Sequence, residues 1–233
     1  MKNSLPLFII FWFASLGVFA QASETVRVKS GEQLSASDKY LYPQFTTGTV
    51  LYRDGRTVSA KLNFNLLLRE MQFLNTPRLE DTLAISQEYT IRYVTINDDT
   101  FIHDQKAGFL KVLGDYGKVR LVTAQSLQVG NVDKEGGYGQ SSGVSSIKAI
   151  SNLPNANSSI TPLSMKGDVM YSRRASYFLA DESGVTYPAN RKTVLKLYPK
   201  HKSVIDDYLK ENTVQFSREG DLKKLLEFSD SLK

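Results

Sequence analysis

The chain contains no cysteine, which excludes disulfides, thiolate nucleophiles, cysteine-bound metals and a lipidated cysteine anchor. It has a single tryptophan, Trp12, lying in an apolar run near the start. Histidine is almost as scarce. His103 and His201 stand far apart, and neither belongs to an H-E-x-x-H arrangement, so a zinc site would have to borrow its ligands from scattered carboxylates. No Walker A sequence is present, and Gly137-Tyr138-Gly139 with Gly143 misses the dinucleotide-binding spacing by one residue. No dense block of one charge occurs either. Lys and Arg number 29 against 24 Asp and Glu, and the net charge of +5 is spread thinly. Arg173-Arg174, Arg191-Lys192 and Lys200-His201-Lys202 could form a local patch, but Asp206, Asp207 and Glu211 lie close by, which argues against nucleic acid as a partner. With 41% hydrophobic residues in 233, the composition is that of a folded protein with a sizeable core.

The N-terminal segment reads as an export signal. Lys2 supplies the positive start, Leu5 to Ala20 is uncharged and mostly apolar, and Ala20-Gln21-Ala22 is a small-x-small cleavage site. The apolar run is shorter than the roughly 20 residues of a membrane-spanning helix. The expectation is a signal peptide over residues 1–22, cleavage after Ala22, and a protein that is periplasmic or extracellular, not membrane-spanning and not a lipoprotein. Cleavage would leave 211 residues with neither Trp nor Cys, whose aromatic mass is Phe and Tyr.

Residues 23–129 are expected to form a β-rich region, because short alternating segments rich in β-branched and aromatic residues are separated by turn residues. The clearest unit is Thr49 to Phe64, where Val50 and Tyr52 alternate with polar neighbours, Asp54-Gly55 turns, and Val58, Ala60, Leu62 and Phe64 alternate on the return. Further strands are predicted at Met71 to Leu74, Leu83 to Ser86, Ile91 to Ile96, Thr100 to His103, Phe109 to Leu113 and Val119 to Ala124. Asn97-Asp98-Asp99 and Asp115-Tyr116-Gly117 serve as reversals.

Residues 130–167 break this pattern. Of 38 residues, 21 are Gly, Ser, Asn, Thr or Pro, which reads as a mobile loop, with Val144 to Ile150 as a possible edge strand. Residues 168–233 hold the remaining strands, at Val169 to Ser172, Tyr177 to Ala180 and Val185 to Tyr187, and then a helical tail packing on the same body. Asn190 is expected to cap a helix carrying Val194, Leu195 and Leu197. Pro199 should open a second helix with Val204, Ile205, Tyr208 and Leu209 on one face. Asp221 should cap a third with Leu222, Leu225, Leu226 and Leu232 on one side. The fold class is therefore α+β: mainly an antiparallel meander, curled or partly sandwiched, with about three short C-terminal amphipathic helices.

Candidate chemistry is sparse. Gly139-Gln140-Ser141-Ser142-Gly143 fits the G-x-S-x-G nucleophile elbow, and Asp181 and His201 follow in the order a Ser, Asp, His triad would need. The motif lies in a Gly/Ser-rich stretch with no buried strand leading into it, so a loop is the default reading. Ser145-Ser146-Ile147-Lys148 fits S-x-x-K without its companion elements. Asp98-Asp99 with Asp104 lacks the D-x-D-x-D-G calcium loop, and a hairpin turn accounts for the pair. No metal and no cofactor are expected.

Tyr42-Pro43, Gly48-Thr49-Val50, Leu62-Asn63-Phe64-Asn65, Glu70-Met71-Gln72-Phe73, Gly137-Tyr138-Gly139 and Tyr177-Phe178-Leu179 ahead of a Lys-rich helical tail form a set. From about Tyr40 to Phe228 the chain resembles a family of uncharacterised secreted bacterial proteins. The resemblance implies an exported, single-unit protein and carries no activity, cofactor or catalytic residue. The functional expectation is a non-catalytic envelope protein that binds another macromolecule or protein, or is structural. The alternatives are an exported serine hydrolase using Ser141, and a sugar-binding protein using exposed Tyr.

Overall fold

A computed structural model of the chain describes residues 25–29, 32–75, 81–133 and 168–232. Among these residues eleven strands make one antiparallel sheet: β1 (Thr25–Val28), β2 (Thr46–Tyr52), β3 (Thr57–Asn65), β4 (Glu70–Leu74), β5 (Thr82–Ala84), β6 (Ile91–Ile96), β7 (Asp99–Asp104), β8 (Gly108–Tyr116), β9 (Val119–Asp133), β10 (Asp168–Ala180) and β11 (Thr186–Pro188). Their order across the sheet is β1-β10-β9-β8-β7-β6-β2-β3-β4-β5, with β11 pairing β10. Among the described residues there are also four α-helices, α1 (Ala36–Lys39), α2 (Arg191–Leu197), α3 (Lys202–Glu211) and α4 (Glu219–Ser231), and two 3₁₀ turns. The α+β expectation is met: the sheet is antiparallel and open, and the longer helices are C-terminal.

Turn chemistry sets the register. Between β2 and β3, Gly55 takes φ +89°, while the Asp54 carboxylate accepts from the backbone N–H and Nε of Arg56 at 3.0 and 2.7 Å. Val50 thereby falls opposite Val58, as alternation requires. In mid-strand, Gly48 is fixed by space: a Cβ there would lie 2.5 Å from the Thr95 carbonyl oxygen and 2.8 Å from Leu62 Cδ1.

The sheet curls back on itself. The β3–β4 turn meets the flank of β9, where the Leu127 N–H donates to the Leu66 carbonyl at 2.8 Å. Along the same stretch Lys39 and Leu41, which bracket the bridge residue Tyr40, bond to Leu66 and Phe64. The enclosed core combines Val50, Leu62, Phe64, Met71, Val94, Ile96, Phe101, Phe109 and Leu127. A second core lies at the other end of β9 and β10, where Val119, Leu121, Tyr177 and Leu179 meet Val194, Ile205, Leu222, Leu225 and Leu226 of the helices. Burying each such Leu or Ile contributes about 1.5–3 kcal/mol, which offsets the weak intrinsic stability of short helices. Tyr208 of α3 stacks on Phe228 of α4 with centroids 4.2 Å apart.

Several elements differ from expectation. β10 is one strand of 13 residues where two were expected, and β9 runs past Val129 to Asp133. The four-residue α1 was not foreseen; Ser35 caps it by accepting from the Asp38 N–H. Asn190 caps α2 as expected, accepting from the Thr193 N–H at 2.9 Å. Pro199, however, opens a single 3₁₀ turn ending at His201, and α3 begins only at Lys202; its Val204 is exposed while Ile205 is fully buried. α4 starts at Glu219, two residues before the expected cap. Asp221 instead accepts from the Gln215 N–H at 2.9 Å, tying down the preceding turn. The expected Val144 to Ile150 strand and the export signal lie outside the described residues.

Candidate ligand cleft

Of the residues proposed for a triad, Ser141 lies outside the described residues, as do the S-x-x-K motif and Tyr138. Asp181 sits in the turn between β10 and β11. Its Oδ1 accepts from the Ser183 and Val185 N–H groups, both at 3.0 Å, and its Oδ2 from the Tyr187 hydroxyl at 3.3 Å. That is an Asx turn, and it commits the carboxylate to shaping the chain. His201 ends the 3₁₀ turn between α2 and α3, half-buried. Among the described residues no hydrogen bond or ion pair joins the two.

The second histidine is more enclosed. His103 of β7 has a side chain only 10% exposed, places Nε2 3.1 Å from Glu88 Oε2, and stands edge-on to Phe109 with centroids 5.2 Å apart. Burial pushes the Glu88 carboxyl up, and the nearby Glu70 adds to this, while His103 pulls the other way. Next to it, Asp104 accepts from the Lys106 and Ala107 N–H groups at 2.8 and 2.7 Å and pairs with the Thr186 hydroxyl. Burial alone would raise the Asp104 carboxyl, but those donors outweigh it and hold it below the usual value. Asp99 accepts from the Tyr42 hydroxyl at 2.6 Å and pairs with Lys111 Nζ at 2.8 Å. Burial and the Asp99 carboxylate both raise the Tyr42 phenol, which stays protonated. The Asp98, Asp99, Asp104 run is thus turn and ion-pair chemistry, and no group of three or more ligating side chains is brought together among the described residues.

Among the described residues, two clefts between elements stand out. The first, of about 320 Å³, lies where β9 and β10 run past the end of β8. β9 keeps β8 as a partner only as far as Thr123, then continues with β10 alone to Asp133. The outward-facing side chains of that ribbon, Ala124, Ser126, Gln128, Ser176 and Phe178, form one wall. The other comes from two turns: Arg69 from the β3–β4 turn, and Lys106 and Ala107 from the β7–β8 turn. Arg69 holds φ +60°, a left-handed conformation that costs a non-glycine residue on the order of 1–3 kcal/mol. From there its guanidinium Nη2 donates to the Ala107 carbonyl at 2.6 Å, joining the two turns. Among the described residues the polar lining consists of cations, hydroxyls and an amide, with Ala107, Ala124 and Phe178 as its apolar members and no carboxylate.

The second cleft, of about 300 Å³, mixes signs. Arg53, Arg92, Lys118 and Arg120 face Asp115, Asp181 and Glu182. Much of this charge is already paired. Arg120 lies 2.5 Å from Asp115, Lys118 lies 3.5 Å from Glu182, and Arg53 Nε donates to the Tyr89 carbonyl at 3.0 Å. A cleft that neutralises itself offers less to a charged ligand than one carrying uncompensated charge. Of the tyrosines among the described residues only Tyr89 is well exposed, at 63%.

Sequence reasoning found Asp181 and His201 but missed Arg69, Lys106 and the ribbon between them. Arg69 carries no local signal, since a left-handed turn residue is ordinarily announced by Gly or Asn.

Fold and site together define an α+β protein built on a curled antiparallel sheet, with an open cationic cleft on its outer face. No family model, no curated protein and no solved structure matches the chain.

Proposed function

We propose that the protein is an exported, non-catalytic envelope module whose task is to bind another macromolecule. One observation carries this reading: the cleft beside β9 and β10 is lined by Arg69, Lys106, Ser126, Gln128 and Ser176, with no opposing carboxylate among the described residues. Such a surface attracts and orients a ligand through charge and hydrogen bonds. An N-terminal leader and the resemblance to secreted bacterial proteins support the compartment. The commitment of Asp181 to its own turn favours binding over hydrolysis, since a triad acid must be free to orient its histidine.

The test is site-specific photo-crosslinking in cells. A benzophenone side chain at Gln128, in the cleft, is expected to give an adduct with an envelope macromolecule, and one at exposed Lys224 on α4 is not. Equal adducts from both positions, or none from Gln128, would end the binding reading at this cleft. Covalent labelling of Ser141 by a fluorophosphonate would replace it with the hydrolase.

A further inference from the structure

We infer that the β9–β10 cleft recognises an acidic saccharide, with Arg69 and Lys106 holding the carboxylate and the ribbon holding the sugar ring. This rests on the binding reading above and narrows it to a ligand class. A sugar acid has three chemical parts: one negative charge, several hydroxyls, and an apolar ring face. The cleft offers a counterpart to each. Arg69 and Lys106 are the charged pair. Arg174, on the outer face opposite Ser126 in the β9–β10 register, raises the positive potential further. Ser126, Gln128 and Ser176 are neutral groups that both donate and accept, as hydroxyls require. Ala124 and Phe178 supply apolar lining for the ring face.

The placement of Arg69 is what makes the cleft more than a run of surface lysines. Its backbone is held at φ +60° and one guanidinium nitrogen is spent on Ala107, which fixes the plane of the fork and leaves the remaining N–H groups for a ligand. Strained backbone of this kind concentrates at ligand clamps. A free phosphate fits less well, because it asks for donors converging on a point, whereas here Ser126, Gln128 and Ser176 are strung along the ribbon among apolar side chains. The volume of about 320 Å³ stands at the low end of ligand sites, suited to one or two sugar units of a longer chain. Repeated acidic units along a polymer would raise the affinity by rebinding.

The experiment is calorimetric titration of the purified protein with tetragalacturonic acid, its fully methyl-esterified counterpart and inorganic phosphate. The acid is expected to bind, more weakly as salt is raised from 50 to 200 mM, and the neutral ester at least tenfold more weakly. Arg69→Gly, which suits the left-handed backbone, and Lys106→Ala are each expected to lower affinity fivefold or more while leaving the thermal midpoint in place. Binding of ester and acid alike, binding unchanged by both variants, or displacement by phosphate at equal concentration would overturn the assignment. If the acid fails to bind while Gln128 still crosslinks to an envelope macromolecule, the saccharide class falls and the binding module stands; if both fail, both fall.

Discussion

His103 Nε2 lies 3.1 Å from Glu88 Oε2, a part-buried pair, and burial keeps the Glu88 carboxyl above its ordinary value of 4.5. A carboxyl whose pKa is higher folded than unfolded binds its proton more tightly in the native state. Its contribution to stability is full at low pH and is lost as pH rises from about 4.5 through the raised pKa. A carbon-detected NMR titration of Glu88 is expected to show a midpoint above 4.5, and Glu88→Gln should flatten that part of the stability profile. A midpoint at or below the ordinary value would contradict the burial argument.

Gly48→Ala should destabilise the protein by roughly 1–3 kcal/mol, the range for overpacking. The new methyl would stand 2.5 Å from the Thr95 carbonyl oxygen, which is backbone and cannot swing aside. Denaturant unfolding measures it. A loss below half a kcal/mol would mean that β2 and β6 separate more easily than their register suggests.

Asn63 is fully buried, with Oδ1 accepting from the Tyr42 and Phe64 N–H groups at 3.2 and 2.8 Å and Nδ2 donating to the Tyr42 carbonyl at 2.9 Å. Asn63→Ala orphans these groups, and each unmet buried partner costs about 1–3 kcal/mol. Tyr42→Phe removes only the hydroxyl that serves Asp99, so it should cost less than Asn63→Ala in the same unfolding experiment. The reverse order would place the anchor of this segment at Asp99 and Lys111.

Asp181→Ala should loosen the β10–β11 turn, because two backbone N–H groups lose their acceptor. Hydrogen exchange at Ser183 and Val185 is expected to speed up by about tenfold, equivalent to about 1.4 kcal/mol of local stability. Unchanged exchange would show that the Gly184-to-Asp181 backbone bond holds the turn by itself.

Where the sequence was readable and where it was not follows a physical line. The β2–β3 hairpin and β6 could be read closely because apolar and polar residues alternate along them, even where Asn63 and Asn65 of β3 are buried along with Leu62 and Phe64. β9 and β10 were cut short for the opposite reason. Gln125, Ser126 and Gln128 on one strand, and Arg173 to Ser176 on the other, dilute the apolar pattern. Ser126, Gln128 and Ser176 are among the residues that face the cleft. The misreading and the candidate site therefore coincide, as expected where a strand serves a ligand as well as a core. Long-range closures, such as Leu127 on Leu66 and β1 on β10, leave no mark in any local window.

The pairing of β1 with β10 bears on the order in which the molecule assembles. Among the described strands, neighbours in sequence make every pairing except β2 with β6 and β1 with β10, so most hairpins can form as soon as their residues are together. β1 is different: Val28 must wait for Val169. Closing so large a loop is slow and entropically costly, and one edge of the sheet stays without its last strand until β10 is in place. β1 would be among the last strands to settle, so a slow final folding phase, sensitive to the β1–β10 register, follows from the architecture.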